Sequence, residues 1–380
     1  MTLEGVGGVR TERIPAAVGD HRPNVRRVRV DYDAGTFELG LPDGSTVAVE
    51  SPVDGVSDSD LLGHRVVVYL DQNHWSTIAD WRSGGRSVND EDACAAAALS
   101  GLVDAERVVL PVSAGHLLET SALYGGRRAD LACAVLALSR GWHMRSPWFV
   151  RRAELTASYE RQAPIASSVF TIDSGDVFAR ETRRPRLEGV PAAFADLTAR
   201  MIMATSLFDT LLDPERLPDE GGHAALESWA QSQAEAARQT RAEGISGEAV
   251  RQRVHALLLV DLIHEVVDIW GPDKERFQAW IDRSHDDVAR MPSLSRTRAV
   301  LFARFRNGSS WSANDFTDIH YLSCAAGYAD LVVGENRTIG DLRTATGTSS
   351  GAQLATTLPA AIAVLAEMGI APGKESPAAS

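Results

Sequence analysis

The chain has 380 residues, 44% of them hydrophobic and 23% charged, a globular balance long enough for a main domain with an additional module. Its formal charge of −13 excludes a surface that grips nucleic acid over its whole extent, since that grip needs many cations neutralising phosphates; any such site is a local patch. Cys94, Cys133 and Cys324 are too scattered for a disulfide framework or a CxxC knuckle, no apolar run approaches the ~20 residues of a membrane span, and the start lacks the continuous apolar segment of a secretory signal, so a cytoplasmic protein is expected.

Residues 25–50, VRRVRVDYDAGTFELGLPDGSTVAVE, alternate apolar and polar positions and are interrupted by DAG and PDG, the signature of a hairpin or small meander. With a loose Gly- and Arg-rich start and a linker over 51–60, they predict a β-rich module at 1–60. The pattern then changes to strands alternating with helices: strand at 66–70, helix at 92–105, strand at 107–110 and a helix from Ser113 to Tyr124. That order implies a parallel sheet covered by helices, at 61–127.

From 128 to 304 the helical period dominates, as in AFADLTARMIMATSLFDTLL and VRQRVHALLLVDLIHEVVDIW, which is too much helix for one crossover and predicts a helical insertion. The sheet resumes over 305–371, with a helix at 313–327, a strand at 330–333, a helix after Asn336, a strand near 355–357 and a helix at 359–368. A Pro/Ser/Ala tail at 372–380 is expected to be disordered.

In an open parallel sheet, ligands bind beyond the carboxyl ends of the strands. Asp71 stands at such an end in VVVYLDQNHWSTIADW; Glu119 follows the second strand in LPVSAGHLLETS; Asp315 and Asp318 share a face early in the helix at 313–327; Glu335 follows the strand at 330–333. Several carboxylates from separate strand ends suit Mg²⁺ or Mn²⁺, which prefer oxygen ligands and in pairs activate water against a phosphodiester.

In this order the acids, with Asn73 two residues after Asp71, resemble the PIN-domain family of metal-dependent ribonucleases over 63–123 and 311–341. The resemblance implies an α/β/α sandwich with a central parallel sheet and Mg²⁺- or Mn²⁺-dependent cleavage of RNA. It also implies Asp71, Glu119 and Asp318 as metal ligands with Asp315 beside them, Glu335 as the fourth acid, and Asn73 and Asn336 in support. Family members commonly have Asp with Thr or Ser at the last position, where this chain has Gly334, Glu335 and Asn336.

His74 and His320 lie near proposed ligands and suit contact with phosphate or leaving group. The arginines Arg151, Arg152, Arg183, Arg184 and Arg186 suit a phosphate track, against the plainer reading of a solvated helix face. Trp75, Trp81, Trp142, Trp148 and Trp311 suit base stacking or ordinary packing. His264, Glu265 and Asp268, like His285, Asp286 and Asp287, lack the second histidine pair that a His/Asp metal hydrolase requires. The expected partner is RNA, with single-stranded DNA, an inhibitor protein or a second copy as further candidates and no membrane. The alternatives are a non-catalytic PIN-like scaffold or a phosphoesterase acting on small nucleotides.

Overall fold

In a computed structural model, which describes residues 2–5, 24–25, 27–31, 36–41, 46–50, 56–84, 86–162, 169–178, 192–213, 220–245, 247–271, 273–345 and 351–371, the alternating stretch becomes an antiparallel meander. Strand β1 (Thr2–Gly5) pairs parallel to β2 (Arg27–Asp31), which pairs with β3 (Thr36–Gly40) and that with β4 (Thr46–Glu50). Val28, Phe37, Leu39, Val47 and Val49 are buried on one face, as a period of two requires. Strand β1 was not expected, because TLEG is too short to carry an alternation. Part of the expected linker is helix α1 (Asp58–Leu62), started by a capping box between Ser57 and Asp60.

Next in the chain come β5 (Val66–Leu70), α2 (Gln72–Ser83), α3 (Asp90–Asp104), β6 (Val108–Val109), α4 (Ala114–Ser121), α5 (Gly125–Ser139) and β7 (His143–Met144). Then follow α6 (Pro147–Glu160), β8 (Phe170–Thr171), α7 (Ala192–Leu212), α8 (Glu220–Ala242), α9 (Gly247–Trp270), α10 (Lys274–Arg290), α11 (Pro292–Asn307), α12 (Ala313–Tyr328), β9 (Leu331–Val333), α13 (Asn336–Ala345), β10 (Gln353–Ala355) and α14 (Leu358–Glu367). The chain is therefore mixed α/β. It divides into one unit of Met1–Arg145, Phe170–Pro218 and Ile362–Ser380, and another of Ser146–Val169 and Asp219–Ala361.

In the first unit β5 pairs parallel with β6, and β7 pairs antiparallel with β8. Val112 bridges to His143. Trp142 is buried, donates from Nε1 to Glu50 Oε2 at 2.9 Å and lies under the Arg65 guanidinium at 5.2 Å, while Arg65 also pairs with Glu50 at 2.7 Å. Gly141, at φ +87°, lets the chain approach β4 closely: a Cβ there would lie 2.4 Å from Val49 Cγ1.

The second unit holds α6, α8 to α13 and the parallel pair β9 and β10. Its core gathers Leu155 of α6, the four-residue series Leu258, Leu262, Val266 and Trp270 of α9, Trp280 and Val288 of α10, and Leu294 of α11. The expected limits at 60, 127 and 304 fall inside α1, α5 and α11, and α5 and α7 belong to the first unit rather than to an inserted block. Periodicity marks a helix but carries no information on which body it packs against. Among the described residues no helix is long and apolar enough to cross a membrane.

Candidate functional site

Four buried residues, Val67 to Leu70, end β5 at Asp71, whose extended backbone (φ −72°, ψ 159°) and side chain cap α2. Asp71 Oδ1 accepts from the Gln72 N–H at 2.8 Å. The half-buried Gln72, for which the sequence suggested no role, donates from Nε2 to Thr120 Oγ1 at 3.1 Å. That bond joins the residue after Asp71 to the residue after Glu119. Glu119 is exposed on α4, and Asn73 is exposed in the first turn of α2 beside a half-buried His74.

Beneath these acids lies a polar network. Tyr69 Oη is 2.9 Å from Ser113 Oγ, and the Ser113 N–H donates to His116 Nδ1 at 3.1 Å. The His116 ring stacks on Tyr69 at 5.0 Å and meets the edge of Trp75 at 6.4 Å. Burial pulls the His116 imidazole down to about 3 against the opposing pull of a hydrogen bond with the Leu70 backbone, so the ring is neutral near pH 7. It ties the carboxyl end of β5, where Asp71 stands, to the start of α4, the helix that carries Glu119 near its far end.

In the second unit, Asp315 is buried and committed. Its Oδ2 accepts from the Ser312 N–H at 2.6 Å in the capping box of α12, and its Oδ1 lies 2.6 Å from Arg304 Nη1. Arg304, also buried, pairs with Asp341 at 3.2 Å. Asp318 is half-buried one turn further along α12; Glu335, between β9 and α13, and Asn336, the first residue of α13, are exposed. Arg337 bonds the Ser310 carbonyl at 2.6 Å and comes within 4.0 Å of Asp315, which brings the starts of α12 and α13 together.

The proposed arginine track is engaged elsewhere. Arg151 is buried and paired with Asp261 at 2.7 Å and with Glu265, and Arg152 pairs with Asp268 at 3.3 Å, so these arginines fasten α6 to α9. Arg183, Arg184 and Arg186 lie outside the described residues. The same pairings account for Glu265 and Asp268, and Asp287 is held by Arg283 and Arg290.

His320 sits in an aromatic cluster with Phe316 at 4.6 Å, Trp148 at 5.8 Å and Trp229 at 6.3 Å, where burial lowers its pKa to about 4. Trp311 packs on Trp229 and Phe305, each at 5.7 Å; Trp75 and Trp142 are core residues. Packing thus engages four of the five tryptophans considered for stacking, Trp75 and Trp142 in the core and Trp148 and Trp311 half-buried.

Among the described residues, no group of three or more His, Cys, Asp or Glu side chains is placed to hold a metal ion. Comparison with protein-family models, with curated proteins and with solved structures found no match. Gln72, Thr120 and His116 are the site neighbours that sequence reasoning missed. Their one sequence signal is position: each lies within three residues of Asp71 or Glu119.

Proposed function

We propose that the chain is a divalent-metal-dependent nuclease acting on RNA, with Asp71 and Glu119 as the acids that carry the reaction. The observation that supports it best is the Gln72 to Thr120 bond, which fixes the residues following Asp71 and Glu119 against each other. The donors fit Mg²⁺ or Mn²⁺: both acids offer hard oxygens, and Gln72 Oε1 is a buried oxygen with no hydrogen-bond partner among the described residues. Asp315 does not fit, because its carboxylate is engaged by the α12 cap and Arg304. A bound ion would supply Lewis acidity and an acidified water. The protein's own part is to hold Asp71 at the rigid end of β5, keep Glu119 on α4, and maintain both supports through the neutral His116 network.

A fluorogenic RNA assay with Mn²⁺ tests this reading. Asp71→Asn and Glu119→Gln, each verified as folded by its melting curve, lose cleavage by at least about a hundredfold, as removal of a group acting on developing charge does. Unchanged turnover in either variant rejects the assignment. Parallel assays with single-stranded DNA and mononucleotides distinguish an RNase from a phosphoesterase. A non-catalytic binding role is the second reading, favoured by the commitment of Asp315, Arg151 and Arg152 to ion pairs; it requires no turnover of any of these substrates by wild type.

A further inference from the structure

A cavity of about 500 Å³ opens in the second unit between the end of α6, the end of α10 and the start of α11. Its size is that of a small-ligand site. Its wall carries Arg161, Arg283 and Arg290 against two acids, Glu154 and Asp287. Both acids are already engaged. Glu154 accepts from the Ser293 and Leu294 N–H groups at 2.6 and 3.1 Å and from Tyr328 Oη at 2.7 Å. Asp287 receives Arg283 Nε at 3.0 Å on one oxygen and Arg290 Nη2 at 2.6 Å on the other.

The arginines are not saturated. Each guanidinium has five N–H donors; Arg283 and Arg290 use one apiece on Asp287, and Arg161 pairs with no acid among the described residues. Arg161 and Arg290 stand at helix C-termini, where a cation also complements the helix dipole, and that role accounts for each charge singly. It does not account for three forks lining one cavity whose acids are both occupied. Ala157 and Met291 give the same cavity an apolar wall.

We propose that this cavity binds a small phosphate monoester, with Arg161, Arg283 and Arg290 holding the phosphate and Ala157 and Met291 covering the organic body. Three guanidinium groups suit the three terminal oxygens of a phosphate monoester better than the two of a carboxylate. The monoester is either a free mononucleotide or the 5′ end of an RNA.

Isothermal titration in EDTA, which removes any contribution of a metal site, tests the proposal with AMP, inorganic phosphate, adenosine, succinate and a 5′-phosphorylated tetranucleotide. AMP and phosphate bind, while adenosine and succinate bind at least tenfold more weakly. Arg161→Gln and Arg290→Gln each weaken AMP by about tenfold or more, and Arg251→Gln, on an exposed pair with Glu248, leaves it unchanged. Both cavity variants alter exposed arginines and are checked for unaltered melting. Tighter binding of AMP than of the tetranucleotide assigns the free nucleotide, and the reverse assigns the RNA end. Absence of AMP and phosphate binding, equal affinity for adenosine or succinate, or indifference to both cavity substitutions overturns the proposal.

Discussion

Glu154 makes stability depend on pH in a direction opposite to that of most carboxylates. It is buried, and burial pushes its pKa from 4.5 up to about 7 although Ser293, Leu294, Tyr328 and Arg296 all favour the anion. The unfolded chain releases this proton near 4.5 and the folded chain near 7, so between those values the folded state binds more protons and stability falls as pH rises. That difference corresponds to a destabilisation of about 3 kcal/mol, absent below pH 4.5 and complete above pH 7. The assay is urea unfolding at pH 4, 5, 6, 7 and 8 for wild type and Glu154→Gln. Subtracting the two curves removes the constant cost of altered hydrogen bonds and the contributions of other groups. Wild type should lose about 3 kcal/mol relative to the variant across that range. Tyr328→Phe, which removes one donor to the anion, should carry the loss to higher pH. Parallel pH curves for wild type and Glu154→Gln refute the reasoning.

His116 has the reverse sign. Its folded pKa of about 3 lies below 6.5, so its contribution is complete above pH 6.5 and is lost as pH falls. His116→Asn should flatten the acid limb of the stability curve by about 3 kcal/mol at pH 4, read by the same unfolding experiment, and an unchanged limb contradicts the buried neutral ring. Arg304→Gln leaves Asp315 and Asp341 without their counter-ion and should cost about 3–5 kcal/mol in denaturant unfolding; a loss under about 1 kcal/mol places the charges in water instead. Gly141→Ala forces a Cβ against Val49 at a positive φ and should destabilise by about 2 kcal/mol or more, seen as a lower urea midpoint.

The junction from β5 to α2 was legible because both halves are local: a β-branched run makes the strand, and Asp71 starts the helix. The helices at α3 and α12 and the strand β9 were legible for the same reason, each within two residues of its expected ends. The two-residue strands β7 and β8 were not, since two residues cannot establish a period and both depend on partners far along the chain. Arg151 looked like a phosphate ligand because its partners Asp261 and Glu265 are over a hundred residues away, and no spacing rule connects them. For His320 too the surroundings were out of reach: DIHY gives no hint of the tryptophans packed against it. Of the site, the positions of the acids on their elements were readable, and the Gln72 to Thr120 tie was not.

The division of the chain also governs the order in which it can be completed during synthesis. The backbone passes between units at 145/146, 169/170, 218/219 and 361/362, and α14 straddles the last of these. Neither unit is a contiguous stretch, so neither can close while its later segments are still inside the ribosome. The first unit contains the N-terminal meander yet also residues from Ile362 onward, so it is completed only after the segment Asp219–Ala361 of the second unit has been made. A single cut between 145/146 and 361/362 therefore leaves at least one unit without all of its segments. Point substitution is the sound route to its chemistry.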